Sequence, residues 1–362
     1  MLFCYAVEAT HENWLHDGLM ELLTRMFNGE DDPLSDWLEE FPADKRDEVK
    51  KKPSLLEALH AVAVQVVNVP AVDRVAFLAC MQAQNHIPHI FDPGVALAEL
   101  PDGYDVLVER IETLFRTAFK MLTPFGIRDR QYALIYEGLP AHICAFCGIE
   151  PLTAPDPAIP RESLDHYLPF ARYPFAGVNL HNLAPTGNKC NGPHKHNIDT
   201  LRDAHSVRRR CFDPFGEATA TVSLLNSRPL EGATEKAFKL PDWQIDLEGD
   251  AEAIATWDAV YDIRTRYRLN ILDKELRNWL DHFANWVARD AAPPTTRNEL
   301  IALIQRYLHA YIQEGFADFL KRQVFVMLAH QCQVGPSANR VTTWLLTLLS
   351  PETGAAIIEQ AA

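Results

Sequence analysis

The chain has 362 residues, of which 48% are hydrophobic, and a formal net charge of −15. This length predicts two or three folding units with enough apolar residues for packed cores. The acidic balance argues against a protein that coats DNA. No stretch of 18 apolar residues occurs and the N-terminus lacks a basic start, so we expect a cytoplasmic protein with no membrane partner.

Residues 1–137 are predicted to form an N-terminal helical domain. A short strand is expected over residues 2–8. Ser54 and Glu57 have the spacing of a capping box at the start of one helix. Apolar residues recur at helical intervals over four stretches, approximately 11–28, 55–67, 72–84 and 105–122, and a further helix is expected over 132–139.

The C-terminal half is predicted to begin with a strand-rich connector over residues 213–250, with strands near 220–225 and 243–247. A C-terminal helical domain over residues 251–362 follows. Its helices are predicted over 251–290, from a capping box at Thr296 and Glu299 to Gln331, and over 341–349. The aromatic residues of this domain are expected in its core, with a groove for a protein partner as the alternative.

The segment between these regions contains residues suited to metal-assisted chemistry. Cys144-x-x-Cys147 precedes Asp165-His166, and Asn182 and Cys190-Asn191 follow. A carboxylate can hold a hard divalent cation, and a neutral imidazole can accept a proton near pH 7. Adjacent strand residues point to opposite faces, so Asp165 and His166 share one site only if the strand bends or ends, which Pro169 permits. Together these residues predict cleavage of a phosphodiester bond.

This segment resembles the HNH endonucleases, the ββα-metal class, in the form with a zinc knuckle. The resemblance covers about residues 138–212. We therefore expect an α+β fold, a mainly helical chain with a central ββα-metal (HNH) nuclease module and a short strand-rich connector. The implied activity is a DNA endonuclease that requires Mg²⁺ or Mn²⁺.

The resemblance also implies a role for each matching residue. His166 would be the general base, and Asp165 and Asn191 would be ligands of the catalytic divalent cation. Asn182 would support the loop between the two strands by hydrogen bonds to the backbone. Lys195 lies four residues after Asn191 and is expected to contact a phosphate.

The zinc knuckle departs from the family pattern at one position. The family commonly has a second Cys-x-x-Cys pair, and here Gly187 stands in place of its first cysteine. Cys144, Cys147 and Cys190 supply three thiolates, whereas structural Zn²⁺ takes four ligands. His194 is the nearest replacement. The alternatives are His142, His181, His196 and Cys211, or a vestigial site in which the cysteines only pack.

Basic residues are concentrated around the motif. Residues 161–210 carry eight basic and four acidic side chains in an otherwise acidic chain. Lys189, Lys195 and the run Arg208-Arg209-Arg210 are therefore candidates for binding nucleic acid, with a salt-bridged turn as the alternative for the run. By analogy, the protein would be an effector of a bacterial antiphage or restriction system with an ATPase partner. A non-catalytic binding module and an HNH nuclease acting on RNA are the competing functions.

Overall fold

The computed structural model describes residues 1–156, 158–235, 238–311 and 317–350. These residues form two compact units. The first unit comprises residues 1–219 and 250–261, and the second comprises residues 220–249 and the described residues from 262 onward. Throughout the described chain, every helix is too short or too polar to cross a lipid bilayer.

Seven α-helices belong to the described part of the first unit: α1 (Trp14–Asn28), α2 (Arg46–Lys50), α3 (Pro53–Val66), α4 (Ala71–Asn85), α5 (Asp105–Met121), α6 (Ile127–Gly138) and α7 (Ala251–Tyr261). Helix α1 ends at Gly29, whose φ of 77° is the left-handed conformation that glycine adopts without strain. A single hydrophobic core joins helices α1 and α3–α6 to buried residues of the 164–183 segment, including Leu164, Phe175 and Leu183.

The N-terminal helices and the 138–212 segment are therefore packed as one body. Polar side chains reinforce this packing. The Phe175 N–H donates to Gln84 Oε1 at 3.0 Å, and Gln131 Nε2 donates to the carbonyls of Leu180 and Leu183 at 2.9 and 3.0 Å. Helix α7 contributes from later in the chain, since Trp257 Nε1 donates to the Phe146 carbonyl at 2.6 Å.

Short strands make three two-stranded antiparallel sheets among the described residues. In the first unit β1 (Leu164–His166) pairs with β2 (Leu183–Pro185). In the second unit β3 (Thr221–Ser223) pairs with β6 (Asp246–Glu248), and β4 (Thr234–Glu235) pairs with β5 (Phe238–Lys239). Residues 220–249 of the predicted connector are thus part of the second unit, whereas residues 213–219 and 250 belong to the first. The prediction of a mainly helical α+β chain is confirmed at this level.

The second unit contains the remaining helices: α8 (Ile263–Arg266), α9 (Asp273–Asp290), α10 (Arg297–Tyr311), α11 (Asp318–Gln331) and α12 (Ala338–Leu348). A π-helical turn, Tyr267–Leu272, joins α8 to α9. Tyr307, Phe325 and Phe283 pack together with ring centroids 4.9–5.2 Å apart, which places these aromatics in a core. The predicted capping box is present, because the Glu299 N–H donates to Thr296 Oγ1 and Glu299 Oε2 accepts from the Thr296 N–H.

Two predictions of secondary structure are wrong. Residues 2–8 form no strand, because Leu2 and Tyr5 donate to two different segments rather than to one ladder. Ser54 does not cap α3, since Pro53 already occupies its first turn and Lys52 is the N-cap. The helices predicted over 251–290 are present, and the first of them ends before Asp262, which has a positive φ of 51°.

The helix predicted from Thr296 to Gln331 corresponds to α10 and α11. Its residues 312–316 lie outside the described residues.

Candidate functional site

The β1–β2 hairpin and the turn after it carry most of the predicted site residues. In the hairpin Asp165 lies opposite Ala184, and His166 lies opposite Leu183. A helical turn of π type, Cys190–Lys195, follows β2. The segment thus has the order strand, strand, helical turn.

Asn182 fixes the loop between the two strands. Its side chain is fully buried, its Oδ1 accepts from the Leu168 N–H at 2.6 Å, and its Nδ2 donates to the carbonyls of Leu168 and Ala176 at 3.3 and 3.1 Å. Gly177 directly follows Ala176, and a Cβ atom on Gly177 would lie 2.5 Å from the Phe170 ring. The absence of a side chain at Gly177 therefore lets the loop approach that ring.

This loop orients the His166 imidazole. His166 Nε2 lies 2.8 Å from the Gly177 carbonyl, and only a protonated Nε2 can donate to that oxygen. The ring packs between Phe119 and Phe170, with centroids 4.6 and 5.5 Å away. Burial lowers the pKa of His166 to about 4, against the raising effect of the Gly177 carbonyl. At pH 7 the ring is neutral, and Nδ1 carries the free lone pair.

Two arginines from the N-terminal helices lie beside this imidazole. The Arg116 guanidinium of α5 stacks over Phe170 at 4.6 Å, and the Arg128 guanidinium of α6 stacks over Phe119 at 4.8 Å. Both positive charges contribute to lowering the pKa of His166. The sequence interpretation did not include these residues, because single arginines on helices far from the motif have no distinguishing pattern.

Asp165 is directed to the opposite side and meets a buried lysine. Lys195, predicted to contact a phosphate, is instead only 1% exposed, with its Nζ 3.0 Å from Asp165 Oδ2. The ammonium also donates to the His166 carbonyl at 2.6 Å. Burial raises the pKa of the Asp165 carboxyl above its ordinary value, although Lys195 acts to lower it.

Asn191 lies on the same side of the hairpin as Asp165. Its Nδ2 donates to Ser163 Oγ at 2.9 Å, and Ser163 precedes Asp165 by two residues. Side chains two residues apart in an extended segment share a face. Asp165 and Asn191 are thus brought to one face of the hairpin, while His166 projects from the other.

A carboxylate and an amide oxygen on one face are ligands that suit a hard divalent cation. Asp165 Oδ2 is buried and has no hydrogen bond of good geometry, so its contact with Lys195 is ionic. These residues fit Mg²⁺ or Mn²⁺, but the cation would compete with the lysine for the carboxylate.

The three predicted zinc-binding cysteines form a second cluster. Cys144, Cys147 and Cys190 are buried, and their sulfurs all lie within 4.8 Å of one another. A tight turn presents the first pair, with the Gly148 N–H donating to the Cys144 carbonyl at 2.7 Å. Cys190 begins the helical turn that carries Asn191. The cluster could hold a metal ion.

In the described structure neither the proposed histidine replacements nor a carboxylate lies within 4.8 Å of all three sulfurs. His142 stacks on Tyr136 with centroids 3.9 Å apart, and His181 Nε2 lies 2.9 Å from Thr10 Oγ1. Cys211 Sγ instead donates to the Thr200 carbonyl at 2.7 Å. His194 is half-buried and His196 exposed on the turn after Cys190. A carboxylate that the sequence interpretation missed, Glu150, contacts two of the sulfurs.

The arginine run at 208–210 is occupied by contacts within the first unit. Arg208 donates to the carbonyls of Ile90 and Asp92, Arg209 to those of Thr200 and Asp199, and Arg210 pairs with Asp92 and the acidic residues of 250–252. These contacts agree with the alternative of a salt-bridged turn. Lys189 remains exposed at the surface.

No protein-family model matches the chain, and no curated protein or solved structure matches it significantly either. The resemblance to HNH endonucleases rests on the motif residues alone and stays a prediction.

Proposed function

We propose that this protein is an endonuclease that hydrolyses phosphodiester bonds with His166 as general base. The observation that carries the proposal is the hydrogen bond from His166 Nε2 to the Gly177 carbonyl. This bond fixes the tautomer in which Nδ1 is the proton acceptor. Asn182 holds the loop that supplies the carbonyl, so the base is oriented before any substrate binds.

In the proposed reaction His166 Nδ1 removes a proton from a water molecule. The water oxygen forms a bond to phosphorus while the bond from phosphorus to the leaving oxygen breaks. Asp165 and Asn191 would hold Mg²⁺ or Mn²⁺, which when bound supplies positive charge for the phosphate oxygens. Because these two residues lie on the opposite face of the hairpin from His166, the end of β1 would have to turn to bring the cation and the base to one phosphate. General-base catalysis typically contributes about 10²–10⁴-fold in rate.

The proposed substrate is DNA. Arg116 and Arg128 flank the imidazole and could position phosphates next to it. The net charge of −15 opposes tight binding of a bare polyanion, and added salt would weaken the phosphate contacts that do form. A partner that supplies DNA affinity, such as the ATPase of a defence system, would complement this deficit.

The ion pair between Lys195 and Asp165 favours a second candidate, a module that binds nucleic acid without cleaving it. In that case a lysine permanently replaces the divalent cation. The two functions differ in whether added Mg²⁺ or Mn²⁺ produces strand breaks.

The test is incubation of the full-length protein with plasmid DNA and with single-stranded RNA, in Mg²⁺, Mn²⁺ or EDTA. We expect metal-dependent DNA cleavage that His166→Ala reduces by about 10²–10⁴-fold. His205→Ala is the matched control, because His205 is exposed and lies in the same unit. Equal cleavage by both variants would refute the role of His166. Cleavage of RNA alone would reassign the substrate, and binding without any cleavage would support the non-catalytic module.

A further inference from the structure

Glu150 lies next to the cysteine cluster, three residues after Cys147. Its Oε1 is 3.4 Å from Cys190 Sγ and 3.7 Å from Cys147 Sγ, and Cys144 Sγ is 4.0 Å from Cys190 Sγ. We propose that Cys144, Cys147, Cys190 and Glu150 form a four-ligand Zn²⁺ site, in which a carboxylate oxygen takes the place of a fourth cysteine.

Three of the distances among these side chains agree with tetrahedral zinc coordination. Zinc bonds of about 2.3 Å to sulfur and about 2.0 Å to oxygen place two ligating sulfurs about 3.8 Å apart and a sulfur and an oxygen about 3.5 Å apart. The observed separations of 4.0 Å between sulfurs and of 3.4 and 3.7 Å to Glu150 Oε1 are close to these values. Glu150 is not among the residues whose ligand atoms all lie within 4.8 Å of one another, so Oε1 must move toward Cys144 Sγ when the ion binds.

The backbone directs the Glu150 carboxylate toward the sulfurs. Glu150 lies on the segment that returns after the cysteine turn, and its carbonyl accepts from the Cys144 N–H at 2.8 Å. Its second carboxylate oxygen, Oε2, accepts from the Lys189 N–H at 2.8 Å. This hydrogen bond leaves Oε1 facing Cys147 and Cys190, and such support from outside the ligand shell is typical of metal-binding carboxylates.

Gly187 leaves the space that this carboxylate fills. A Cβ at Gly187 would lie 2.7 Å from Glu150 Oε2 and 2.8 Å from Glu150 Cβ, so a side chain at 187 and Glu150 exclude each other. The Gly187 N–H also donates to Cys144 Sγ at 3.3 Å. Glycine at position 187, where the family has a cysteine, therefore leaves room for the Glu150 carboxylate beside the three cysteines.

The composition of the cluster points to zinc rather than to a hard cation. Three sulfur ligands and one carboxylate suit Zn²⁺, whereas Mg²⁺ and Ca²⁺ take oxygen ligands. The competing explanation is a cluster of thiols that donate hydrogen bonds to Glu150 without any metal. The two explanations differ in metal content and in the effect of a neutral side chain at position 150.

The test measures metal binding by the full-length protein, independently of any nuclease activity. We expect about one equivalent of Zn²⁺ in protein purified without chelators. Glu150→Gln keeps the size of the side chain and removes the ligand charge. It should weaken Zn²⁺ binding by at least 10- to 100-fold, which is roughly what loss of an outer-shell partner alone costs. His194→Ala is the control and should bind Zn²⁺ as the wild type does.

A double substitution at Glu150 and Gly187 should restore Zn²⁺ binding. Glu150→Gly combined with Gly187→Cys removes the carboxylate and its Cβ and supplies a fourth sulfur, so Zn²⁺ binding should return. After substitution with Co²⁺, the sulfur-to-cobalt charge-transfer absorption should be stronger in this variant than in the wild type, because it has one more thiolate.

Three results would overturn the proposal. Unchanged Zn²⁺ affinity in Glu150→Gln would exclude the carboxylate as ligand. Loss of Zn²⁺ in His194→Ala would identify the histidine as the fourth ligand instead. Failure of the wild type to bind Zn²⁺ even when the ion is added would leave a hydrogen-bonded thiol cluster.

Discussion

Lys195→Met should strongly destabilise the first unit. Methionine keeps the length and the apolar stem of the side chain but removes the ammonium that faces Asp165 at 3.0 Å and His166 O at 2.6 Å. The Lys195 side chain is 1% exposed and that of Asp165 is 14% exposed, so water cannot replace the lost contacts. Removing one partner of a buried ion pair typically costs about 3–5 kcal/mol.

The assay is urea-induced unfolding of the wild type, Lys195→Met, Asp165→Asn and the double variant. Each single variant leaves a buried charge without a partner, whereas the double variant leaves none. We therefore expect the double variant to be more stable than the sum of the two single losses implies. Lys189→Met is the matched control, because Lys189 is exposed, and its effect should stay within about 0.5 kcal/mol.

The loss of stability in Lys195→Met should depend on pH, because the Asp165 carboxyl titrates. Burial raises its pKa in the folded protein, and Lys195 opposes that rise. Without Lys195 the pKa rises further, so folding favours the protonated carboxyl more strongly. A raised carboxyl pKa gives stability at low pH that is lost as pH increases through the folded value. The deficit of Lys195→Met should therefore be small near pH 4 and grow toward pH 8.

Added Mg²⁺ should reduce this deficit if a divalent ion binds Asp165 in place of the ammonium. A loss below about 1 kcal/mol at pH 8, or a loss that does not change between pH 4 and pH 8, would refute the assignment of Lys195 as the counter-charge of Asp165.

Two further predictions concern the loop and the base. Asn182→Ala leaves the buried Leu168 N–H and Ala176 carbonyl without this partner, so the free energy of unfolding should fall by about 3 kcal/mol or more. The control Asn68→Ala, at an exposed position, should change it by less than about 0.5 kcal/mol. Equal urea midpoints for the two variants would contradict the role of Asn182 in supporting the loop. Because the pKa of His166 is lowered to about 4, the imidazole becomes protonated, and the cleavage rate should fall, only as pH decreases through about 4. A pH–rate profile in which the rate falls around pH 6.5 (about the ordinary pKa of histidine) would contradict the burial of the imidazole.

The sequence predicted those parts of the site that depend on local order. The spacing along the chain places Asp165, His166 and Asn182 on one hairpin and its loop. The three cysteines lie together partly because two of them belong to one tight turn. Periodicity also predicted α1 and α3–α5 to within about three residues, whereas α6 begins at Ile127, five residues before its predicted start, and α2 was not predicted. These features need only neighbouring residues and regular repeats.

Other features depend on contacts that are distant in sequence. Glu150 and Gly187 lie 37 positions apart, and only their steric exclusion shows that they act together. The burial of Lys195 was not predictable, because lysine is normally exposed unless it has a partner. Arg116 and Arg128 reach His166 from helices that precede the motif by dozens of residues. These contacts depend on packing between distant parts of the chain, which the spacing of residues in the sequence does not show.

The position of α7 has a consequence for synthesis of the chain. Trp257 and Tyr261 cover the cysteine turn, with Tyr261 stacked on Phe146 at 5.2 Å and Trp257 bonded to the Phe146 carbonyl. About 70 residues separate Cys190 from the end of this helix. At roughly 5–20 residues per second, a ribosome needs about 4–14 s to translate them. During that interval the three cysteines are translated but α7 is not, so the Zn²⁺ ion of the proposed site would have access before this helix covers the cysteine turn.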